Sequence, residues 1–277
     1  MPLNLIYDIG IYIYALSLLF YISDCVYRSR TAKRTGAGLL VVAALGQIIV
    51  VSMRLFGASA LPVLTTFDFL LFCSLSLSIT SLVLSFIKRA DLAPALLSVA
   101  GFSVTVLNRM LLTTEFKPLE MWGMWYTAKG LLVLHITLAS ISFTSLMVGA
   151  VFAGMYLFLH SRLKHKKWND LIRRLPSLEM LDKYSYAAIL FGIVLLVLSL
   201  SIAVVSLIRE GQVLLLGDLK VITTFIVLCV YLNYFVRRTI QQRSGLETAR
   251  WALIGLAFIV LNFLLNAWSG FHGWSGV

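Results

Sequence analysis

Residues 131–159 read LLVLHITLASISFTSLMVGAVFAGMYLFL, and this stretch decides the fold. It is an unbroken apolar run that carries one histidine, His135, near its start. At about 1.5 Å per residue, a helix of this length reaches about 43 Å, which exceeds the roughly 30 Å hydrocarbon core of a bilayer. The sequence therefore predicts a helix that spans a membrane.

The flanks of this helix predict its direction. Trp122, Trp125 and Tyr126 precede it, and the basic run 162–167 follows it. Aromatic residues favour the membrane interfaces, and lysine and arginine collect on the cytoplasmic side. We expect the helix to run from outside to inside, which places His135 in the outer part of the membrane.

The composition is that of a polytopic membrane protein. Hydrophobic residues make up 60% of the chain and charged residues 13%, and the mean hydropathy is +0.93. A net charge of +11 could indicate nucleic-acid binding, but that function needs a solvated basic face, whereas here the charge falls in short loops between apolar segments. The positive-inside rule explains the charge better, and no nucleic-acid partner is expected.

Apolar windows bounded by charged residues predict an all-α bundle of eight transmembrane helices, forming a single transmembrane domain over residues 1–277. The windows are approximately 5–26, 37–56, 63–87, 92–113, 128–160, 184–208, 219–236 and 251–268. An even number of spans places both termini on one side, and the loops on the other side hold 17 of the 23 basic residues. We therefore expect those loops in the cytoplasm and both termini outside.

The longest predicted cytoplasmic segment, residues 161–183, reads SRLKHKKWNDLIRRLPSLEMLDK. Its apolar residues recur at helical spacing among basic ones, which predicts an amphipathic helix on anionic headgroups that ends before Pro176. The segment is either a connector on the membrane surface or a docking surface for a cytoplasmic partner.

The chain lacks the usual catalytic motifs. It contains no Walker loop, no GxGxxG that opens a helix and no HExxH, so ATP, dinucleotide and zinc-protease chemistry are not indicated and the chain is not expected to be an enzyme. No carboxylate falls near the middle of a span, which disfavours ion-driven transport. Gln47 and Asn233 are neutral, and we expect them to bond helices together.

Two histidines are predicted at the outer face, His135 and His272 of the tail segment GFHGW. Neutral imidazole is a common ligand of iron, and haem is often held by axial side chains of this type. The pair could ligate one haem, flanked by the aromatic residues Trp122, Trp125, Phe271 and Trp274. The alternative is that both histidines merely lie in the headgroup region.

The order of these features resembles the CcsA/ResC/CcmC-type haem-handling proteins of cytochrome c assembly, and within that group the HemX type. The resemblance runs from about residue 40 to the C-terminus. Arg54, Gly57, Pro62 and Asp68 in the segment 47–72 take the places of the family's arginine, glycine, proline and acidic residue. LPSLEMLDKYSYAAILFGIVLL is similar to the family's entry into the sixth span, and NAWSGFHGW to its terminal Gly-x-His segment.

The chain also departs from the cytochrome-assembly members of the family. By this resemblance, Gln47 and Asn233 stand where those members have histidines within spans. The loop 208–220, IREGQVLLLGDLK, contains no tryptophan where they carry a tryptophan-rich WWD segment. The outer pair His135 and His272 is kept, a pattern that the resemblance associates with the HemX type.

The resemblance implies a multi-pass protein of the bacterial cytoplasmic membrane that binds haem b through His135 and His272. It also implies a role in haem biosynthesis, lowering the amount of glutamyl-tRNA reductase. The segment 161–183 could then contact the reductase or its protease. The alternatives are a haem-delivery protein for cytochrome c maturation, a small-molecule transporter without haem, and a structural membrane scaffold.

Overall fold

The fold is a set of long helices. The computed structural model describes residues 2–27, 29–56, 66–87, 92–111, 126–166, 172, 174–209, 211 and 213–266, and these contain no strand. The helices are α1 (Pro2–Tyr27), α2 (Arg30–Phe56), α3 (Thr66–Phe86), α4 (Leu92–Leu111), α5 (Tyr126–Lys164), α6 (Leu178–Arg209), α7 (Leu219–Phe235) and α8 (Gly245–Asn266). A 3-10 turn, Val213–Gly217, precedes α7, and a π-helical turn, Val236–Ile240, follows it.

Within this described part, eight helices are long and apolar enough to cross a membrane. The predicted all-α architecture with eight membrane-spanning helices is therefore confirmed. The side of the membrane on which the termini lie stays a prediction.

Several helices extend beyond their apolar windows. Helix α2 begins at Arg30 rather than near 37, and α6 begins at Leu178 rather than near 184. Serine side chains cap both starts: Ala32 N–H donates to Ser29 Oγ at 3.2 Å, and Met180 N–H donates to Ser177 Oγ at 3.3 Å. A hydropathy window finds the segment that crosses hydrocarbon, whereas capping allows the helix to continue into polar sequence.

The described chain divides into two compact units. The first contains residues 1–119 and 169–176, and therefore α1 to α4. The second contains residues 120–168 and 177–277, and therefore α5 to α8. The predicted single domain over residues 1–277 stays a prediction, because one membrane bundle can comprise two compact helical units.

In the first unit, three tyrosines of α1 point into the interior. Tyr7, Tyr14 and Tyr21 are buried, and their seven-residue spacing is close to two helical turns, which places them on one face. Each phenol oxygen meets a polar atom of α3 or α4: Tyr7 the carbonyl oxygen of Thr105 at 3.2 Å, Tyr14 the hydroxyl of Ser78 at 3.2 Å and Tyr21 the hydroxyl of Ser85 at 2.8 Å. Lipid tails offer no hydrogen bonds, so these partners fix how α1 packs in its unit.

In the second unit, α5 and α6 form a close antiparallel seam built from small residues. Serine hydroxyls donate to backbone carbonyls across it: Ser142 to Gly192 at 2.8 Å, Ser145 to Ala188 at 2.7 Å and Ser185 to Gly149 at 2.8 Å. A Cβ atom at Gly149 would lie 3.1 Å from the carbonyl oxygen of Ser185, so the absence of a side chain there permits the approach.

Candidate functional site

His135 lies at one end of the α5–α6 seam, half-buried, against the buried Ser199 of α6. The imidazole Nδ1 is 2.8 Å from the carbonyl oxygen of Ser199 and 2.8 Å from its hydroxyl oxygen. The Ser199 hydroxyl in turn donates to the carbonyl oxygen of His135 at 3.0 Å. His135 and Ser199 are therefore joined by hydrogen bonds that involve both their side chains and their backbone carbonyls.

This geometry selects one tautomer of the imidazole ring. The Ser199 carbonyl can only accept a hydrogen bond, and the Ser199 hydroxyl hydrogen is directed to the His135 carbonyl. The consistent arrangement has the proton on Nδ1 and the lone pair on Nε2. Metal-bound histidines commonly have this arrangement, with the other ring nitrogen donating to a carbonyl that fixes the orientation of the ring. His135 therefore fits the role of an axial ligand.

The other predicted haem-site residues, Trp122, Trp125, Phe271, His272 and Trp274, lie outside the described residues. Their part in the site stays a prediction. Among the residues that the structure does describe, no group of three or more His, Cys, Asp or Glu side chains could hold a metal ion. A haem iron differs from such a site, since the porphyrin supplies most of its ligands and the protein only the axial ones.

Gln47 occupies the interior of the first unit. It is buried, and its Nε2 lies 2.9 Å from Ser74 Oγ and 3.4 Å from Thr105 Oγ1. The Ser74 and Thr105 hydroxyls are themselves 2.5 Å apart. Gln47 thus links α2 to α3 and α4, as expected of a neutral polar residue within a span.

Asn233 behaves differently from this expectation. It is exposed on α7, and its Oδ1 accepts a hydrogen bond of 2.6 Å from Arg237 Nε, four residues along the chain. Arg237 also pairs with Glu247 at 2.5 Å and lies over the Trp251 ring, 4.7 Å from its centroid. Asn233 therefore helps to position an arginine and makes its hydrogen bond along its own chain segment, not between helices.

Sequence reasoning did not predict the polar interior of the first unit. The sequence did contain a signal for it, the seven-residue spacing of the three tyrosines of α1. Asn108 of α4 is fully buried; its Nδ2 donates to the Tyr7 phenol at 3.2 Å and to the Phe67 carbonyl at 3.1 Å. Its Oδ1 is the one buried side-chain oxygen of the described residues without a hydrogen-bond partner.

Arg54 and Asp68, which match two positions of the resemblance, form a buried pair between α2 and α3. Arg54 Nη2 donates to Asp68 Oδ2 at 2.9 Å, and Arg54 Nε donates to the other carboxylate oxygen. A second pair of similar geometry joins Arg109 of α4 to Asp8 of α1, with contacts of 2.5 and 3.1 Å, and is more exposed. Asp68 therefore has at least a structural role, anchoring Arg54.

The segment 161–183 is described only in part. Helix α5 continues to Lys164, α6 begins at Leu178, and residues 167–171 and 173 lie outside the described part, so the amphipathic helix stays a prediction. Arg174 is described, and its guanidinium contacts the buried carboxylate of Asp24 at 3.2 Å. This arginine serves the packing of the first unit and is not simply a surface charge.

Residues 63–272 match the family described as cytochrome c assembly protein. The chain belongs to this family. The cytochrome c assembly match covers most of the chain, includes His135 and ends at His272.

Two curated relatives extend the similarity over nearly the whole chain. The chain is 34% identical to Protein HemX of Brevibacillus brevis over 271 residues, covering 97% of each chain. It is 31% identical to Protein HemX of Bacillus subtilis (strain 168) over 269 residues, covering 96% of this chain and 95% of the relative. No solved structure matches the chain significantly.

Proposed function

We propose that this chain is a HemX-type haem-binding protein of the bacterial cytoplasmic membrane. It acts without catalysis and lowers the cellular amount of glutamyl-tRNA reductase. The two HemX relatives and the cytochrome c assembly family support the type, and the eight apolar helices support a multi-pass location. The action on the reductase rests on the family resemblance stated above.

One observation carries the haem part of the proposal: His135 is held through Nδ1 by Ser199. In the resulting tautomer Nε2 has the lone pair that an iron ligand needs. His135 would hold haem b together with His272, and the four aromatic residues predicted from the sequence would contact the porphyrin. When bound, the haem supplies an iron centre. The fraction of the protein that carries haem would rise with the cellular haem level.

Helix α5 offers a physical connection between this site and the opposite end of the membrane. It is continuous from His135 to Lys164, and the 29 steps between these residues rise about 43 Å. At the far end, Arg162 lies over the Phe158 ring and His160 stacks on Tyr156. A change in how α5 packs on α6 at His135 would move this basic end, where the reductase or its protease could bind. Regulation requires that haem binds the two arrangements with different affinities.

The first test is the absorption spectrum of the protein purified in mild detergent. We expect a low-spin haem spectrum in the wild type, and a lost or high-spin spectrum in each of His135→Ala and His272→Ala. Ser199→Ala removes the hydroxyl but keeps the backbone carbonyl that accepts from Nδ1, so it should keep the low-spin spectrum at saturation and lower haem affinity by no more than about tenfold. His160→Ala, on the same helix, is the matched control and should bind haem like the wild type. Protein that takes up no added haemin would refute the haem site.

The second test concerns the basic segment. Because Arg174 pairs with buried Asp24, it must stay in place to protect the fold. We expect the combined change of Lys164, Lys166, Lys167 and Arg173 to glutamine to raise reductase levels in cells several-fold, measured by immunoblot, while haem binding is unchanged. Unaltered reductase levels would remove this segment from the mechanism.

The family match favours haem delivery for cytochrome c maturation as the second candidate function. Deletion of the gene would then abolish covalent cytochromes c, and restoring the protein would rescue them. A deletion strain with normal covalent cytochromes c and a raised amount of glutamyl-tRNA reductase would support the first proposal, the HemX-type function.

A further inference from the structure

An open groove of about 480 Å³ runs along one face of α7 in the second unit. It is lined at helical intervals by residues from Ile222 through Phe225 and Cys229 to Asn233, with Trp251 of α8. Apart from the asparagine, this lining is apolar. The groove lies within a segment that can cross the membrane, so a hydrocarbon chain is a chemically suitable occupant.

The length of the groove corresponds to one leaflet. Ile222 and Asn233 are separated by 11 residues, which rise about 17 Å along a helix. Half of a roughly 30 Å hydrocarbon core is about 15 Å. An acyl chain of one leaflet would therefore extend along the face and bring its headgroup to the Asn233 end.

That end carries more positive than negative charge. Two arginines have carboxylate partners: Arg237 pairs with Glu247, and Arg238 pairs with Asp182. Arg243 and Arg250 are exposed, and within the described part of the chain neither forms an ion pair. Set against Glu247 and Asp182, these four arginines leave two positive charges in the segments that adjoin this end of the groove.

The two remaining arginines are connected to this end of the groove through the backbone and through neighbouring residues. The Arg243 backbone N–H donates to the carbonyl oxygen of Arg237 at 3.0 Å, and Arg237 contacts both Asn233 and Trp251 at the groove. Arg250 is adjacent to Trp251 and follows Glu247 by three residues, so it shares a face of α8 with the partner of Arg237. Tryptophan is itself typical of the headgroup level.

We infer that this groove is a binding site for an anionic phospholipid, with an acyl chain along α7 and the phosphate between Arg243 and Arg250. Basic residues at the end of a transmembrane helix attract anionic headgroups, and the apolar groove supplies the contact that a soluble phosphate cannot use. The site does not involve His135, so it is independent of the haem proposal.

The test measures lipid binding to the full-length protein by native mass spectrometry in mild detergent. Phosphatidylglycerol and phosphatidylcholine with identical acyl chains are compared, so that only the headgroup differs. We expect about tenfold tighter binding of phosphatidylglycerol, since each nearby arginine contributes about fivefold and exposure reduces the combined effect. His135→Ala should keep this preference, which separates a failure of this inference from a failure of the haem site.

Three variants make the result specific. Arg243→Gln with Arg250→Gln should reduce the preference to within about twofold. Arg30→Gln with Arg34→Gln removes the same charge from the start of α2 and should leave the preference intact. Cys229→Phe fills the groove and should weaken binding of both lipids.

Three outcomes would each overturn the inference. They are equal binding of the two lipids by the wild type, equal effects of the two arginine pairs, and displacement of the lipid by soluble glycerol phosphate at the lipid's concentration.

Discussion

Replacing Asp68 by alanine is expected to lower the free energy of unfolding of the first unit by about 3–5 kcal/mol. The side chains of Arg54 and Asp68 are only 11% and 6% exposed, so the variant leaves a guanidinium buried without its carboxylate. Arg54 also lies over the Phe67 ring, 4.7 Å from its centroid. This contact opposes a rotation of the guanidinium toward solvent. Unfolding by denaturant in detergent, followed by circular dichroism, measures the loss.

The exposed pair provides the matched control. Asp8 and Arg109 form a similar two-bond contact, but their side chains are 36% and 40% exposed. Asp8→Ala should therefore cost about 1 kcal/mol or less, because water screens the pair and can replace it. Equal losses in Asp68→Ala and Asp8→Ala would contradict the argument from burial.

A double variant separates the ion pair from its surroundings. Arg54→Met with Asp68→Leu removes both charges and keeps apolar volume, so it should recover most of the stability lost in Asp68→Ala. A double variant as unstable as the single one would show that Arg54 and Asp68 stabilise the unit through other contacts.

The number and type of helices could be predicted because the hydrocarbon core of the bilayer requires long apolar segments, which hydropathy detects directly. A run such as 131–159 has no alternative to a spanning helix, since backbone groups in hydrocarbon must bond within the segment. The ends were harder to predict because they depend on caps such as Ser29 and Ser177, which lie in polar sequence where a hydropathy window has no signal.

The candidate haem site could be inferred from the sequence only as residue types expected on one face of the membrane, and it stays a prediction. His135 was recognisable because an ionisable group inside an apolar helix is unusual. Its partner Ser199 was not, since serine is common in transmembrane helices, and only the register of α5 against α6 brings the two together. In the same way, Asn233 and Gln47 looked alike in sequence, yet one is exposed beside Arg237 and the other is buried among hydroxyls.

Replacing Gly149 by leucine is expected to destabilise the second unit strongly. A Cβ atom there would meet Ile189 Cγ1 at 2.5 Å and the backbone of Ser185 and Ile189 at 3.1 and 3.2 Å. The side-chain atom can rotate away, but the backbone atoms cannot, so α5 and α6 must separate. We expect a loss of about 3 kcal/mol or more, at the upper end of overpacking effects.

Gly154 of the same helix is the matched control for this change. The nearest atom to a Cβ there is Leu253 Cδ2 at 3.7 Å, an ordinary contact, so Gly154→Leu should cost less than about 1 kcal/mol, helped by the higher helix propensity of leucine. Unfolding in detergent compares the two variants, and amide hydrogen exchange should show lost protection along α5 and α6 only for Gly149→Leu. Similar stability in both would mean that the seam is not the tight contact that holds α5 to α6.

Because the serine bonds of this seam continue to the His135–Ser199 pair, a separated seam should also release the imidazole from its fixed tautomer. Reaction of His135 with an imidazole-modifying reagent should accordingly be faster in Gly149→Leu than in Gly154→Leu.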